Sequence, residues 1–186
     1  MASVQPLLHP LDESCARAGR RIPSAKALQP EDMPEPYRSL LVHDTDMTST
    51  LSAFHGNRLH LEVLSVELGG DACLREVVLR VDGTRKPVEF GAIKIHLHAL
   101  PPPARRLVLE GRVPLGQILR DAQIPFLSKP KGYLKVVADE FMSAALELKD
   151  SKAELFGRRN TLTDPRLGPI AEIVEILPPA VASTHD

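Results

Sequence analysis

The chain has 186 residues, enough for one compact domain and too few for two of ordinary size. Lys and Arg (23) nearly balance Asp and Glu (24), and this near-neutrality argues against the broad basic surface that binds nucleic acid or anionic membranes. Cys15 and Cys73 are too few for a disulfide framework or a four-ligand zinc site. We therefore expect a cytoplasmic protein without metal, cofactor or nucleic-acid partner, and we favour a monomer.

Proline and charge divide the chain into one domain and two short ends. Prolines and arginines interrupt every apolar run in the first 30 residues, so neither a signal peptide nor a membrane span is predicted. We expect a flexible N-terminal arm over residues 1–21, a domain over residues 22–180 and a flexible tail over residues 181–186.

Three short helices are predicted. One follows Pro36. Thr45 or Asp46 is expected to cap the second, which ends where Gly56 occupies the position after the C-cap. The third opens at Pro114-Leu115-Gly116.

Strand patterns outnumber helical ones and mostly follow one another. From Gly56 onward every second residue is apolar. The parity of these residues, odd or even in number, changes near residues 63–64, as at a bulge. Residues 75–81 and 88–97, joined by a turn containing Asp82-Gly83, predict a hairpin. Further strands are expected at Tyr133–Ala138, around Leu155–Leu162 and at Ile170–Leu177. Because consecutive strands pair with opposite direction, we predict an α+β fold with a single antiparallel β-sheet flanked by helices.

Arg75 stands on the apolar face of its predicted strand. It has the same parity as Val77, Leu79 and Val81. A guanidinium directed at a core costs several kcal/mol unless an anion meets it. Either Arg75 receives an anionic ligand, or it frays toward water or pairs with a structural carboxylate. The residues alone favour the structural explanation.

The last predicted strand carries one glutamate on each face. Glu172 shares its parity with Val174, and Glu175 shares the other parity with Ile173. Since both faces are otherwise apolar, at least one glutamate is expected in a desolvated place. Burial there would raise its pKa and suit it to proton transfer or to binding a hydroxyl. Periodicity does not decide which glutamate faces inward.

Other polar groups form no recognisable site. His96 and His98 share the parity of Lys94, as on a solvated face. Gly157-Arg158-Arg159 lacks the glycine-rich pattern of a phosphate loop, and no serine stands in a nucleophile elbow. Metal, nucleotide and nucleophilic chemistry are therefore disfavoured.

The order of several short segments resembles the chorismate pyruvate-lyase (chorismate lyase) family, from about Ile22 to Pro178. The matching segments are Asp46-Met47-Thr48, Leu74–Leu79 followed by Asp82-Gly83, Pro114-Leu115-Gly116, Phe156–Arg159, and Glu172 leading to Leu177-Pro178. This resemblance implies a single antiparallel sheet with an enclosed ligand pocket. It also implies a cofactor-independent lyase that splits chorismate into 4-hydroxybenzoate and pyruvate.

The resemblance also implies roles for individual residues. Arg75 matches the family arginine that grips the ring carboxylate, and Glu172 matches the glutamate near the ring hydroxyl, so both are expected to be catalytic. Backbone N–H groups at Met47 and Leu115 would complete the carboxylate site. Glu175 is the rival of Glu172, because two extra residues separate Glu172 from the Leu-Pro that follows it in the family pattern.

Two alternatives stay open for the function. The first is a non-catalytic domain that binds an aromatic acid and is related to the effector-binding domains of GntR-type regulators. The second is an enzyme that acts on another enolpyruvyl or cyclohexadiene acid. The partner is a small molecule in each case.

Arg158 and Arg159 match a family pair, of which one either reaches a second substrate carboxylate or forms a structural ion pair.

Overall fold

Seven antiparallel strands form one sheet in the computed structural model, which describes residues 6–180. The strands are β1 (Ala25–Leu28), β2 (Leu59–Gly69), β3 (Ala72–Val81), β4 (Pro87–His96), β5 (Leu127–Val137), β6 (Glu154–Asp164) and β7 (Gly168–Leu177). Their order in the sheet is β1-β5-β6-β7-β4-β3-β2. The register of β2 on β3 shifts between Val63 and Ser65, where the change of parity predicts a bulge. The predicted α+β fold with a single antiparallel sheet is confirmed.

Six α-helices accompany the sheet within the described range. They are α1 (Leu11–Arg17), α2 (Tyr37–Leu41), α3 (Met47–His55), α4 (Pro102–Glu110), α5 (Leu115–Asp121) and α6 (Glu140–Ala145). Asp46 caps α3 by accepting a hydrogen bond from the Ser49 N–H at 3.0 Å, and Gly56 ends that helix with a φ of 62°. The sequence pattern does not predict α4, because its prolines look like a chain break. Proline is nevertheless tolerated in the first turn of a helix, where its missing N–H has no partner to lose.

The helices cover both faces of the sheet. On one face α1 and α6 pack against a cluster that includes Val78, Phe90 and Val174. On the other face α4 and α5 pack against a cluster that includes Ile93 and Ile173. Helices α2 and α3 extend this second layer over the neighbouring end of the strands. The parity of each strand therefore decides which helical layer a side chain meets.

Residues 6–21 differ from the flexible arm that the sequence predicts. Helix α1 buries Leu11 and Cys15 against the sheet, and Arg20 donates a hydrogen bond to the buried carboxylate of Glu76. A helix of 7 residues with so few apolar positions is too short to show a 3.6-residue period, so its packing is visible only in three dimensions.

The outermost ends of the chain lie outside the described residues. These are residues 1–5 of the predicted arm and the predicted tail over residues 181–186. Between residues 6 and 180, no helix has the length and apolar character needed to cross a membrane.

Candidate functional site

A cavity lies between the middle of the sheet and the first turns of α3 and α5. Strands β3, β4 and β7 form its floor. Of the residues that line it, all but Asp46, Thr48 and Leu61 are buried. The space in it that the centres of water molecules can occupy is about 60 Å³, against the roughly 10–15 Å³ that one water requires. The cavity therefore has room for several water-sized groups.

The register of the central strands brings charged side chains to the floor of this cavity. Arg75 on β3 lies opposite Ile93 on β4, and Leu79 lies opposite Glu89. Glu175 on β7 lies opposite Gly91 on β4. With about 3.3 Å per residue along a strand and about 4.8 Å between strands, the Cα atoms of Arg75 and Glu175 are about 12 Å apart. A cation thus stands at one end of the floor and carboxyl groups stand at the other.

Arg75 is a buried cation without an anion. Its side chain lines the cavity, and the residue is 2% exposed. Nη1 donates a hydrogen bond to the Val108 carbonyl at 3.1 Å, whereas Nε has no hydrogen-bond partner. No carboxylate of residues 6–180 forms an ion pair with it. Burial lowers the pKa of Arg75, because desolvation disfavours the charged form. Neither structural explanation considered for this arginine, fraying or a carboxylate partner, is present in the described structure.

Met47 and Leu115 line the same cavity as Arg75. They are the first residues of α3 and α5, and both are buried. An N–H group at the first position of a helix has no partner within the helix and is available to an acceptor. The structure therefore brings together Arg75, Met47 and Leu115, and their role in holding a carboxylate stays a prediction.

Glu172 lies away from the cavity, on the opposite face of the sheet. It is paired across the strands with Lys94, and its carboxylate contacts His96 Nε2 at 2.7 Å. Although burial opposes ionisation, the hydrogen bond and charge of His96 lower the pKa of Glu172. The expectation that Glu172 reaches the ligand pocket is wrong, because β7 directs it to the other layer. Arg159 is on this face as well, where Nη1 donates to the Pro6 carbonyl at 3.3 Å.

Glu175 is the glutamate of β7 that lines the cavity, and Arg158 is its partner. Arg158 is fully buried, and its Nε donates to the Glu175 carboxylate. Its terminal nitrogens donate to the carbonyls of Leu41 at 3.2 Å, His43 at 3.0 Å and Thr45 at 2.9 Å. Arg158 thus fastens the loop before α3 to the sheet through a structural ion pair, and it does not line the cavity.

Glu89 also lines the cavity, although it is not among the predicted site residues. It is 5% exposed, and its Oε2 atom has no hydrogen-bond partner. Burial raises the pKa of Glu89 well above its usual value, and the Glu175 charge raises it further, while Arg158 opposes the increase. The signal was available in the sequence, because Glu89 shares the parity of Ile93 and Ile95 on β4, as Arg75 shares that of its apolar neighbours.

Comparisons with known proteins agree on the fold. No protein-family model and no curated protein matches the chain. PhnF from Mycobacterium smegmatis superposes with a TM-score of 0.54 at 13% identity, over 90% of this chain and 92% of that one. The effector domain of PhnF gives a TM-score of 0.53 at 15% identity, over 71% of this chain and 87% of that one. Gene product SA0254 from Staphylococcus aureus gives a TM-score of 0.53 at 8% identity, over 74% of this chain and 90% of that one. At these identities the similarity establishes the fold and nothing finer.

Proposed function

We propose that the cavity binds a small cyclic carboxylic acid, with Arg75 as the receptor for its carboxylate. The observation that carries this proposal is the buried guanidinium whose Nε has no partner and which no carboxylate of the described chain neutralises. Arginine presents several N–H donors in one plane, a geometry that matches a carboxylate. Hydrogen bonds to charged groups contribute about 1.5–3 kcal/mol each, so a bound carboxylate would offset the cost of burying this cation.

The opposite end of the cavity defines the rest of the ligand. Glu175 and Glu89 offer carboxyl oxygens there, so the complementary ligand carries a hydrogen-bond donor at the end remote from its carboxylate. Apolar side chains such as Val77, Ile93 and Leu115 line the space between, which suits a hydrocarbon ring. That a protein of the same fold has an effector domain is consistent with a binding module.

The proposal is tested by calorimetric titration of the protein with 4-hydroxybenzoate. Arg75→Met should weaken binding about 10- to 100-fold, the equivalent of one lost charge-assisted hydrogen bond. Glu172→Gln is the matched control, because Glu172 is also a charged residue of the sheet but faces the other layer. It should bind as the unmodified protein does. Equal loss in both variants, or no loss in either, would contradict the assignment of the carboxylate to Arg75.

Turnover of chorismate is a second candidate function. It is favoured by the presence in one cavity of Arg75, Met47 and Leu115, the residues to which the resemblance assigns carboxylate binding. The acid near the ring hydroxyl would then be Glu175, since Glu172 lies on the other face. Aromatisation of the ring drives the release of pyruvate, so these residues would supply position and charge rather than energy.

Incubation with chorismate distinguishes turnover from binding. Formation of 4-hydroxybenzoate that is lost in Arg75→Met and Glu175→Gln, and retained in Glu172→Gln, would establish the lyase. Saturable binding without product would leave the binding function alone. Glu175→Gln also removes the charge that Arg158 pairs with, so its thermal unfolding must be recorded beside its activity.

A further inference from the structure

We infer that Glu89 selects the substituent at the far end of the ligand, and that the ligand class of this site is a cyclic carboxylic acid carrying a basic amine. This inference deepens the proposed function and rests on it, because Arg75 must hold the carboxylate for the other end to reach Glu89.

The three acids that line the cavity differ in whether a cation of the described residues is paired with them. Glu175 is paired with Arg158. Asp46 forms an ion pair with Arg120 at 2.8 Å and caps α3 as well. Glu89 has no ion-pair partner among residues 6–180, although it is buried and its Oε2 atom has no hydrogen bond. Glu89 is therefore the acid in this group that no cation of residues 6–180 pairs with, so a cationic ligand would be its partner.

Within the described chain, the cavity thus holds one buried guanidinium and one buried carboxyl group that lack an ion-pair partner. Arg75 and Leu79 are four residues apart on β3, and Leu79 lies opposite Glu89. This register puts the Cα atoms of Arg75 and Glu89 about 14 Å apart. A single ligand with a carboxylate and an ammonium group would pair with Arg75 at one end and, once Glu89 ionises, with Glu89 at the other. The separation exceeds that between Arg75 and Glu175, which suits an amine on a one-carbon arm beyond the ring.

Counting donors and acceptors favours an amine over a hydroxyl. A hydroxyl group has one donor, whereas an ammonium group has three. The carboxyls of Glu89 and Glu175 both line the cavity, so an ammonium group can donate to each of them and a hydroxyl to one. A site in which a buried polar group is left unsatisfied discriminates strongly against the ligand that leaves it so.

The number of protons released on ligand binding reports on this arrangement. The charged groups that influence Glu89 are Glu175 on β7, Arg158 on β6 and Asp46 before α3. Burial and Glu175 raise the pKa of Glu89, so in the free protein this carboxyl retains its proton at higher pH than an ordinary glutamate does. When an ammonium group binds, the ionised form of Glu89 becomes the better partner. The proton then passes to the solvent, and binding releases it to the buffer.

The test uses two probes that differ only in the group at the far end, 4-(aminomethyl)benzoate and 4-(hydroxymethyl)benzoate. In calorimetric titrations at neutral pH, the unmodified protein should bind the amine about 10- to 100-fold more tightly than the alcohol. Glu89→Gln, which preserves the shape of the side chain, should lose this preference and bind the alcohol within a few-fold of the unmodified protein. Repeating the titrations at pH values from the usual carboxyl range upward, in two buffers of different ionisation enthalpy, should show proton release with the amine alone, and none in Glu89→Gln.

These titrations give different results if the role of Glu89 fails and if carboxylate binding fails. If both probes bind through Arg75 with equal affinity and Glu89→Gln changes neither, the role of Glu89 is overturned and carboxylate binding stands. If neither probe binds while circular dichroism shows folded protein, the proposed function fails as well. Tighter binding of the alcohol than of the amine would also refute the inference.

Discussion

Replacing Arg75 with methionine should stabilise the ligand-free protein. The change removes a buried guanidinium that has no anionic partner within the described structure, and it keeps a flexible apolar side chain of similar reach. One hydrogen bond is lost, the one from Nη1 to the Val108 carbonyl. That carbonyl keeps the Gly111 N–H at 3.2 Å, so it is not left unsatisfied.

The magnitude follows from these two opposing contributions. The lost hydrogen bond costs about 1 kcal/mol, whereas relief of an uncompensated buried charge gains several kcal/mol. We expect a net stabilisation of about 1–3 kcal/mol. For a domain of this size that corresponds to an increase of roughly 2–12 °C in the melting temperature.

Arg158→Met is the matched control, because Arg158 is also a buried arginine and each of its three guanidinium nitrogens has a hydrogen-bond partner. Its removal leaves the buried Glu175 carboxylate without a partner and removes the hydrogen bonds to the loop before α3. We therefore expect the free energy of unfolding to fall by about 3–5 kcal/mol. Thermal and urea-induced unfolding of both variants, followed by circular dichroism without ligand, measure the two effects. If Arg75→Met is destabilised like Arg158→Met, then Arg75 contributes net stability to the free protein, and the reasoning that assigns it to a ligand is refuted.

Three further predictions concern acids around the sheet and the cap of α3. The raised pKa of Glu89 means that the unmodified protein should lose stability as pH rises from the usual carboxyl range through that raised pKa, and urea denaturation across pH should show no such loss in Glu89→Gln. The lowered pKa of Glu172 has the opposite effect on stability. Glu172 stabilises the protein above the usual carboxyl pKa, and this stabilisation is lost as the pH falls through the lowered pKa. In Glu172→Gln, urea denaturation should therefore not show this loss of stability at acidic pH. In Gly116→Ala the new Cβ would lie 2.7 Å from Asp46 Oδ1 and would displace the side chain that caps α3. The free energy of unfolding measured with urea should fall by about 1 kcal/mol. An unchanged denaturation midpoint would show that the cap survives.

Local patterns were sufficient for several elements of the fold. The cap and end of α3 are encoded by Asp46 and Gly56, because capping depends on residues within one helical turn. The face that Arg75 occupies follows from strand parity, because successive side chains of a strand point to opposite sides. The central hairpin and the bulge near Val63 are local in the same sense.

The choice between Glu172 and Glu175 required the assembled sheet. Strand β7 lies between two neighbours and is covered by helices on both sides, so both of its faces are apolar and alternation carries no direction. The partner of Arg158 and the isolation of Glu89 were equally out of reach, since each depends on residues far apart in the chain that meet through strand register. Sequence thus specified how each strand presents its side chains, whereas the packing of helices on either side determined which of them share a cavity, because burial and ion pairing are properties of neighbours in space.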